Sequence, residues 1–222
     1  MRAAIIALSC GLLAGCAAPA AHQGYRADSS AFFTDAKLLR PVAGTPGLSR
    51  YVTPHYAEQR QRIKSIYLAP IEVWVSPDSP YKGLTATEIG ALTASFRQAF
   101  LKDPSRRYPV VDQPGPDSMV VRIALTDVML TLPRTRLLGY TPVGLAVRAI
   151  QKSQGISPTL VDRLGYQTEA TLGVAGPTLF AVRLQGVQPT HTAADQKQRL
   201  DQMPAQIAQQ ATRLRATLEA LH

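Results

Sequence analysis

Much hydrolytic and group-transfer chemistry uses a thiolate, an imidazole or convergent carboxylates, and this chain offers few candidates for any of them. Its four histidines are His22, His55, His191 and His222. None has a second histidine or a cysteine at ligand spacing, so a metal site has no support. No G-x-S-x-G elbow, phosphate-binding G-x-x-x-x-G-K loop or G-x-G-x-x-G turn occurs. Asp127 falls among apolar residues, where a carboxylate must find partners. It reads either as a general base or recognition group, or as a strand-end or loop-capping aspartate. Asp112 and Asp117 bracket "QPGP" and read as turn residues. Glu72 beside Trp74 is the minimum of a sugar platform, but one aromatic and one carboxylate are too few, and packing of Trp74 in the core is the simpler reading. The expectation is a protein with no catalytic residues, no metal and no cofactor.

The remaining reactive group is a thiol. The only two cysteines are Cys10 and Cys16, so no disulfide can staple the rest of the chain. Met1 and Arg2 precede "AAIIALSCGLLA", residues 3–14, an almost wholly apolar run. A helix of that length covers roughly 18 Å, too short for a bilayer core of about 30 Å. Its length and flanks match the apolar region of a signal peptide. The following Leu13-Ala14-Gly15-Cys16 looks like a bacterial lipobox. In that motif the thiol becomes a thioether to diacylglycerol, and cleavage frees the cysteine amine for a further acyl chain. One chain holds a membrane weakly and two or three hold it firmly. Release as a soluble protein by ordinary cleavage near "AAPAA" is the competing reading. Ala17 follows the cysteine; in such sorting systems an aspartate there favours inner-membrane retention, so the expected address is the periplasmic face of the outer membrane.

The net charge is +9, and loss of residues 1–15 leaves +8. A positive balance favours anionic neighbours such as lipid headgroups, lipopolysaccharide, acidic glycans or nucleic acid. Arg134, Arg136, Arg148 and Lys152 surround "LLGYTPVGLAV", which begins with Leu137 and Leu138. An apolar loop and helix rimmed with cations suits a membrane interface or a partner's groove. A core helix with a solvated rim is the alternative. Nucleic acid is disfavoured, because aromatics are not interleaved with the basic residues.

The elements that would carry these residues follow from periodicity. Residues 16–61 read as a lipidated tether and an irregular lead-in, with Phe32, Phe33, Leu38, Leu39 and Tyr51 as scattered anchors, and the domain proper as 62–222. "RIKSIYLAPIEVWV" reads as a strand over 63–75, with Pro70 marking an edge or a bulge. Thr85 and Glu88 form a capping box before a helix whose Ile89, Leu92, Phe96 and Phe100 share a face. "YPVV" is a short strand. "SMVVRIALTDVMLTL" is the clearest one, placing Met119, Val121, Ile123, Leu125, Asp127 and Met129 on one side and Arg122 and Thr126 on the other. Thr141, Pro142 and Gly155 bound a possible helix. "YQTEATLGV" and "TLFAVRLQGV" flank "AGP" as a hairpin. A final helix is expected from about Ala193 to Leu221, burying Ile207, Ala211, Leu214, Leu218 and Leu221, with Pro204 kinking or restarting it. The expected fold is therefore a single α+β domain: a mostly antiparallel sheet with helices packed on one side.

With "SAFFTDAKLLRP", "YVTP", "IYLAPIEVWV", "YPVVDQPGPD", "VVRIALTDV" and "TPVGLAV" placed in order, the chain resembles a family of bacterial lipoproteins catalogued as domain of unknown function 3313 (DUF3313). The resemblance runs from about Ser30 to Leu221. One departure is the turn between the two late strands, where an acidic sequence is expected and "GVAGPT" stands. The resemblance implies an envelope lipoprotein without a settled activity. The element order also looks like the small periplasmic domains of secretion and cell-wall lipoproteins, a likeness at the level of fold. The expected role is a non-catalytic scaffold or accessory factor, held to the membrane at Cys16 and touching an envelope protein or another copy of itself. The alternative is a binding module for an anionic lipid or glycan.

Overall fold

The computed structural model describes residues 32–80, 83–102, 107–131, 160–187 and 198–220. The long alternating run becomes the centre of the sheet. In chain order the strands are β1 (Arg40–Pro41), β2 (Leu48–Val52), β3 (Ser65–Leu68), β4 (Glu72–Val75), β5 (Val110–Val111), β6 (Ser118–Thr131), β7 (Leu160–Leu172), β8 (Thr178–Val187) and β9 (Gln198–Arg199). All nine join one sheet, ordered β1-β2-β8-β7-β6-β3-β5. β4 lies beside β6 beyond the end of β3, and β9 pairs with β7. The helices among the described residues are α1 (Tyr56–Arg62), α2 (Ala86–Leu101) and α3 (Met203–Ala220). This is a single α+β domain, with a sheet that is mostly antiparallel.

It is not wholly so. β3 runs parallel to both β5 and β6, and β4 runs parallel to β6. The chain leaves β4, passes through α2 and returns in the same direction, the crossover that parallel strands require. The expected single strand over 63–75 is interrupted at Ala69-Pro70-Ile71. Both halves nevertheless use the same edge of β6, β3 opposite 118–121 and β4 opposite 124–128. Proline cannot donate to the ladder, so the break falls where the sequence puts it.

α2 begins as its capping box dictates. The Thr85 hydroxyl accepts from Glu88 N, while the Glu88 carboxylate accepts from Thr85 N. Ile89, Leu92, Phe96 and Phe100 are its buried residues. They share one core with Met203, Ile207, Ala211 and Leu218 of α3 and with Ile66, Val73, Met119, Val121, Ile123 and Leu125 of the sheet. Both long helices therefore pack on the same sheet face. Arg215 of α3 is also sealed in this layer, 1 % exposed. Its guanidinium lies 5.3 Å from the Phe100 ring centre and donates to Tyr108 O at 2.9 Å.

Three expectations change. First, β6 keeps strict alternation only to Leu125. A bulge between Thr126 and Met129 places Asp127 at φ 51 and shifts the side-chain phase. Val128 and Leu130 then enter the core in place of Asp127 and Met129. Second, residues 198–202 form β9 and a 3-10 turn, so α3 starts at Met203 with Pro204 in its first turn, where a missing N–H costs nothing. Third, much of the expected irregular lead-in is regular. β2 pairs along its whole length with β8, α1 follows it, and the sheet starts N-terminal of residue 62. Gly47 makes the β1–β2 turn possible. It sits at φ 76, and a Cβ there would come within 2.4 Å of Gln185 O.

Candidate functional site

The sheet face opposite the helices is covered by the chain's own residues 32–39. The hairpin pairing of β6, β7 and β8 sets Arg122 directly opposite Glu169, and Gln167 opposite Arg183. Period two puts all four on this outer face. Asp35 caps a 3-10 turn at Ala36–Leu38 by accepting from Lys37 N at 2.9 Å, which turns the strap over the sheet. Phe32 and Phe33 then enter a second, small core with Trp74, Ala124 and Ala181. The Phe32 ring meets Phe33 edge-on at 5.1 Å and Trp74 at 5.8 Å.

Glu169 is the centre of this arrangement. It is 1 % exposed, and a carboxylate at that depth requires several donors. One of its oxygens accepts from Thr34 N at 2.9 Å and from the Thr178 hydroxyl at 3.2 Å. The other accepts from the Thr34 hydroxyl at 3.2 Å and from Arg122 Nη1 at 3.3 Å. The same Arg122 nitrogen donates to Phe32 O at 2.9 Å, and the guanidinium lies 4.7 Å from the Phe32 ring centre. Arg183 lies over Phe33 in the same manner, at 5.1 Å. Two cations thus grip two aromatic rings, and one carboxylate grips the Thr34 backbone that follows them. The donors that reach Glu169 come from the strap and from the neighbouring strands. The arrangement is a latch.

The remaining candidates are dispersed. Trp74 Nε1 donates to Glu72 at 3.0 Å, but the ring is 3 % exposed and offers no platform to a sugar. Asp127 sits in the bulge of β6 at φ 51, beside Gly165, where a Cβ would come within 3.3 Å of its carboxylate; it is neither at a strand end nor in a loop. Asp117 pairs with Lys64 at 2.8 Å, and that hydrogen bond holds its carboxyl below the ordinary range. Asp112 is 97 % exposed and lies 3.9 Å from Arg97. His55 faces Glu58 at 3.6 Å in solvent. Ser79 precedes Lys82 by three residues, a spacing that some acyl enzymes use. Its hydroxyl donates to Leu130 O and accepts from Leu130 N, which ties it to the β6 backbone. Among the described residues no cluster of three or more His, Cys, Asp or Glu could hold a metal ion. No helix among them is long and apolar enough to cross a membrane. Cys16, Arg134, Arg136, Leu137, Leu138, Arg148 and Lys152 lie outside the described residues.

The latch itself is what sequence reasoning missed. Alternation puts Arg122 on the side of its strand away from Met119 and Val121, but its contact with Glu169 depends on strand register. Thr34 lies 135 positions from Glu169, and nothing local marks it.

A solved structure of a PelC variant dodecamer from Paraburkholderia phytofirmans superimposes on this chain with a TM-score of 0.31 and 11% identity, over 76% of this chain and 95% of that one. A likeness that slight carries no argument about fold or assembly. No curated protein matches. The family model described as "Protein of unknown function (DUF3313)" matches residues 28–214, which contain the latch, the sheet and most of α3. The chain belongs to the DUF3313 family of proteins of unknown function.

Proposed function

We propose that this protein is an envelope lipoprotein, anchored through acylated Cys16 at the periplasmic face of the outer membrane, and that its domain is a non-catalytic scaffold or accessory factor. One observation carries the reading: Phe32, Phe33 and Thr34, which follow the lipobox by sixteen residues or more, are clamped to the sheet by Glu169 and Arg122. A segment built into the domain in this way passes the pull of an anchor to the widest element of the fold rather than to a fraying end. The rest of the reading comes from the signal-like residues 1–15, from Ala17, and from the likeness of the element order to small periplasmic domains of secretion and cell-wall lipoproteins. The partner in this reading is an envelope protein or a second copy of the chain.

Labelled fatty acid should enter the wild-type protein and be absent from Cys16→Ser, which should also leave the membrane fraction. Continued acylation and membrane fractionation of Cys16→Ser would overturn the anchor. Cross-linking in intact cells should retain a defined assembly. Recovery of the chain alone at monomer mass would overturn the scaffold role. The second reading, a module for an anionic lipid or glycan, is favoured by the positive balance of the β1–β2 edge.

A further inference from the structure

Strands β1 and β2 place two arginines face to face. Arg40 and Arg50 are directly paired in the antiparallel register, and both are exposed. Like charges opposite each other on a sheet repel. Lys37, three residues before Arg40, is exposed as well. Among the described residues none of these three forms an ion pair, since the ion pairs present there join His55 to Glu58, Lys64 to Asp117, Arg97 to Asp112 and Arg122 to Glu169. Among the described residues the Arg40 guanidinium donates to the carbonyls of Lys37 and Leu39. The edge keeps a positive balance among these residues. Residues 36–52 contain no aspartate or glutamate, and neither does the neighbouring β8. Asp35, which caps the 3-10 turn, keeps its charge beside Lys37, so residues 35–52 carry a net charge of +2; Glu169 faces Arg122 in the latch.

This cationic edge continues directly from the latched strap, the part of the chain that the proposed tether enters. An anchored domain would therefore carry it close to the bilayer surface. We infer that Lys37, Arg40 and Arg50 form a headgroup-binding edge that rests on anionic phospholipid. The occupant is the phosphodiester surface of a bilayer rather than a free phosphate, because the cations lie along an open strand edge and not around a cavity. An array of phosphates at a membrane removes the Arg40–Arg50 repulsion, and each cation near such a surface strengthens adsorption about fivefold. The inference deepens the anchored reading and rests on it for the approach to the membrane, but the edge itself does not depend on acylation.

The test uses the full chain reconstituted in phosphatidylcholine vesicles, with and without phosphatidylglycerol, and follows amide hydrogen exchange over residues 36–52. Phosphatidylglycerol should slow exchange there, and high salt should restore it. Arg40→Gln with Arg50→Gln should lower the lipid-dependent preference on the order of 25-fold and abolish the protection. Arg97→Gln with Lys102→Gln removes the same charge from α2 and should leave the protection intact. Equal exchange in both vesicle types would overturn the inference. So would protection that survives in the Arg40/Arg50 variant, protection lost equally in the α2 variant, or the same protection from inorganic phosphate without vesicles. Mass analysis of Cys16 in the same preparation reads the anchor separately: a bare cysteine with lipid-dependent protection of 36–52 refutes the anchored reading and keeps the edge.

Discussion

The two faces of the sheet are buried by different chemistry. On one, α2 and α3 lay down aliphatic and aromatic side chains, and Met119, Val121, Ile123 and Leu125 meet them at no more than 6 % exposure. Contacts of that kind are strong and undirected, and many arrangements of similar volume satisfy them. On the other face, Glu169 takes four hydrogen bonds from three residues spread across the chain, while Arg122 and Arg183 cover Phe32 and Phe33. That face buries far fewer residues, but it accepts the strap in one position only. The helix face holds the domain together; the strap face decides where the N-terminal segment leaves it.

The largest effect should come from the helix face. Phe100, 1 % exposed, stacks near Phe96 and lies under Arg215. Phe100→Ala should cost about 3–5 kcal/mol. Chemical denaturation should show one lowered transition, because α2, α3 and the sheet share a core. Loss confined to α2 with the sheet intact would break the comparison.

Glu169→Gln tests the other face. The amide can accept only through its oxygen and turns an NH₂ toward donors, so about 1–3 kcal/mol should be lost. The loss should be local first. Exchange and proteolysis at 32–39 should rise before the main transition moves. If both regions respond together, the two faces are one cooperative unit and the distinction falls.

The smallest effect concerns the seam where α1 joins the helix face. Tyr56 is 4 % exposed and donates to Leu218 O at 3.2 Å. Burial is the main cause that raises its phenol above the ordinary 10.0, and Tyr166 is raised by burial as well. The folded chain then keeps these protons to higher pH than the unfolded chain does. The stabilisation is complete below about pH 10 and is lost as pH rises toward the folded values. Tyr56→Phe should cost about 1 kcal/mol at neutral pH and flatten the alkaline decline in melting temperature. An unchanged alkaline slope would assign that decline to Tyr166 or to the lysines.

The contrast between the faces is also a contrast in legibility. The helix face was readable because its information is periodic and local. Thr85 and Glu88 announce the start of α2, and the spacing of Ile89, Leu92, Phe96 and Phe100 names the buried side without any partner. β6 was readable to Leu125 for the same reason. It failed at Asp127, where one left-handed residue resets the alternation and no neighbouring residue type demands it. β2 is not legible in the sequence, because "LSRYV" does not alternate and the prolines and glycines around it resemble a loop. The buried Arg215 breaks the residue-type rule that the rest of α3 obeys, and its hydrogen bond to Tyr108 O and its place over the Phe100 ring, neither local in sequence, accompany that burial.

By itself the sequence determined the local elements: the capped helix, the central strand and the late hairpin. Each depends on residues within a few positions of one another, where spacing alone dictates geometry. Only the tertiary structure decided that β3 and β4 run parallel to β6, that a charged face and an apolar face share one sheet, and that Thr34 completes the shell of Glu169. Those outcomes depend on strand direction and register, which are set by the chain's return through α2 and by the collective burial of both faces.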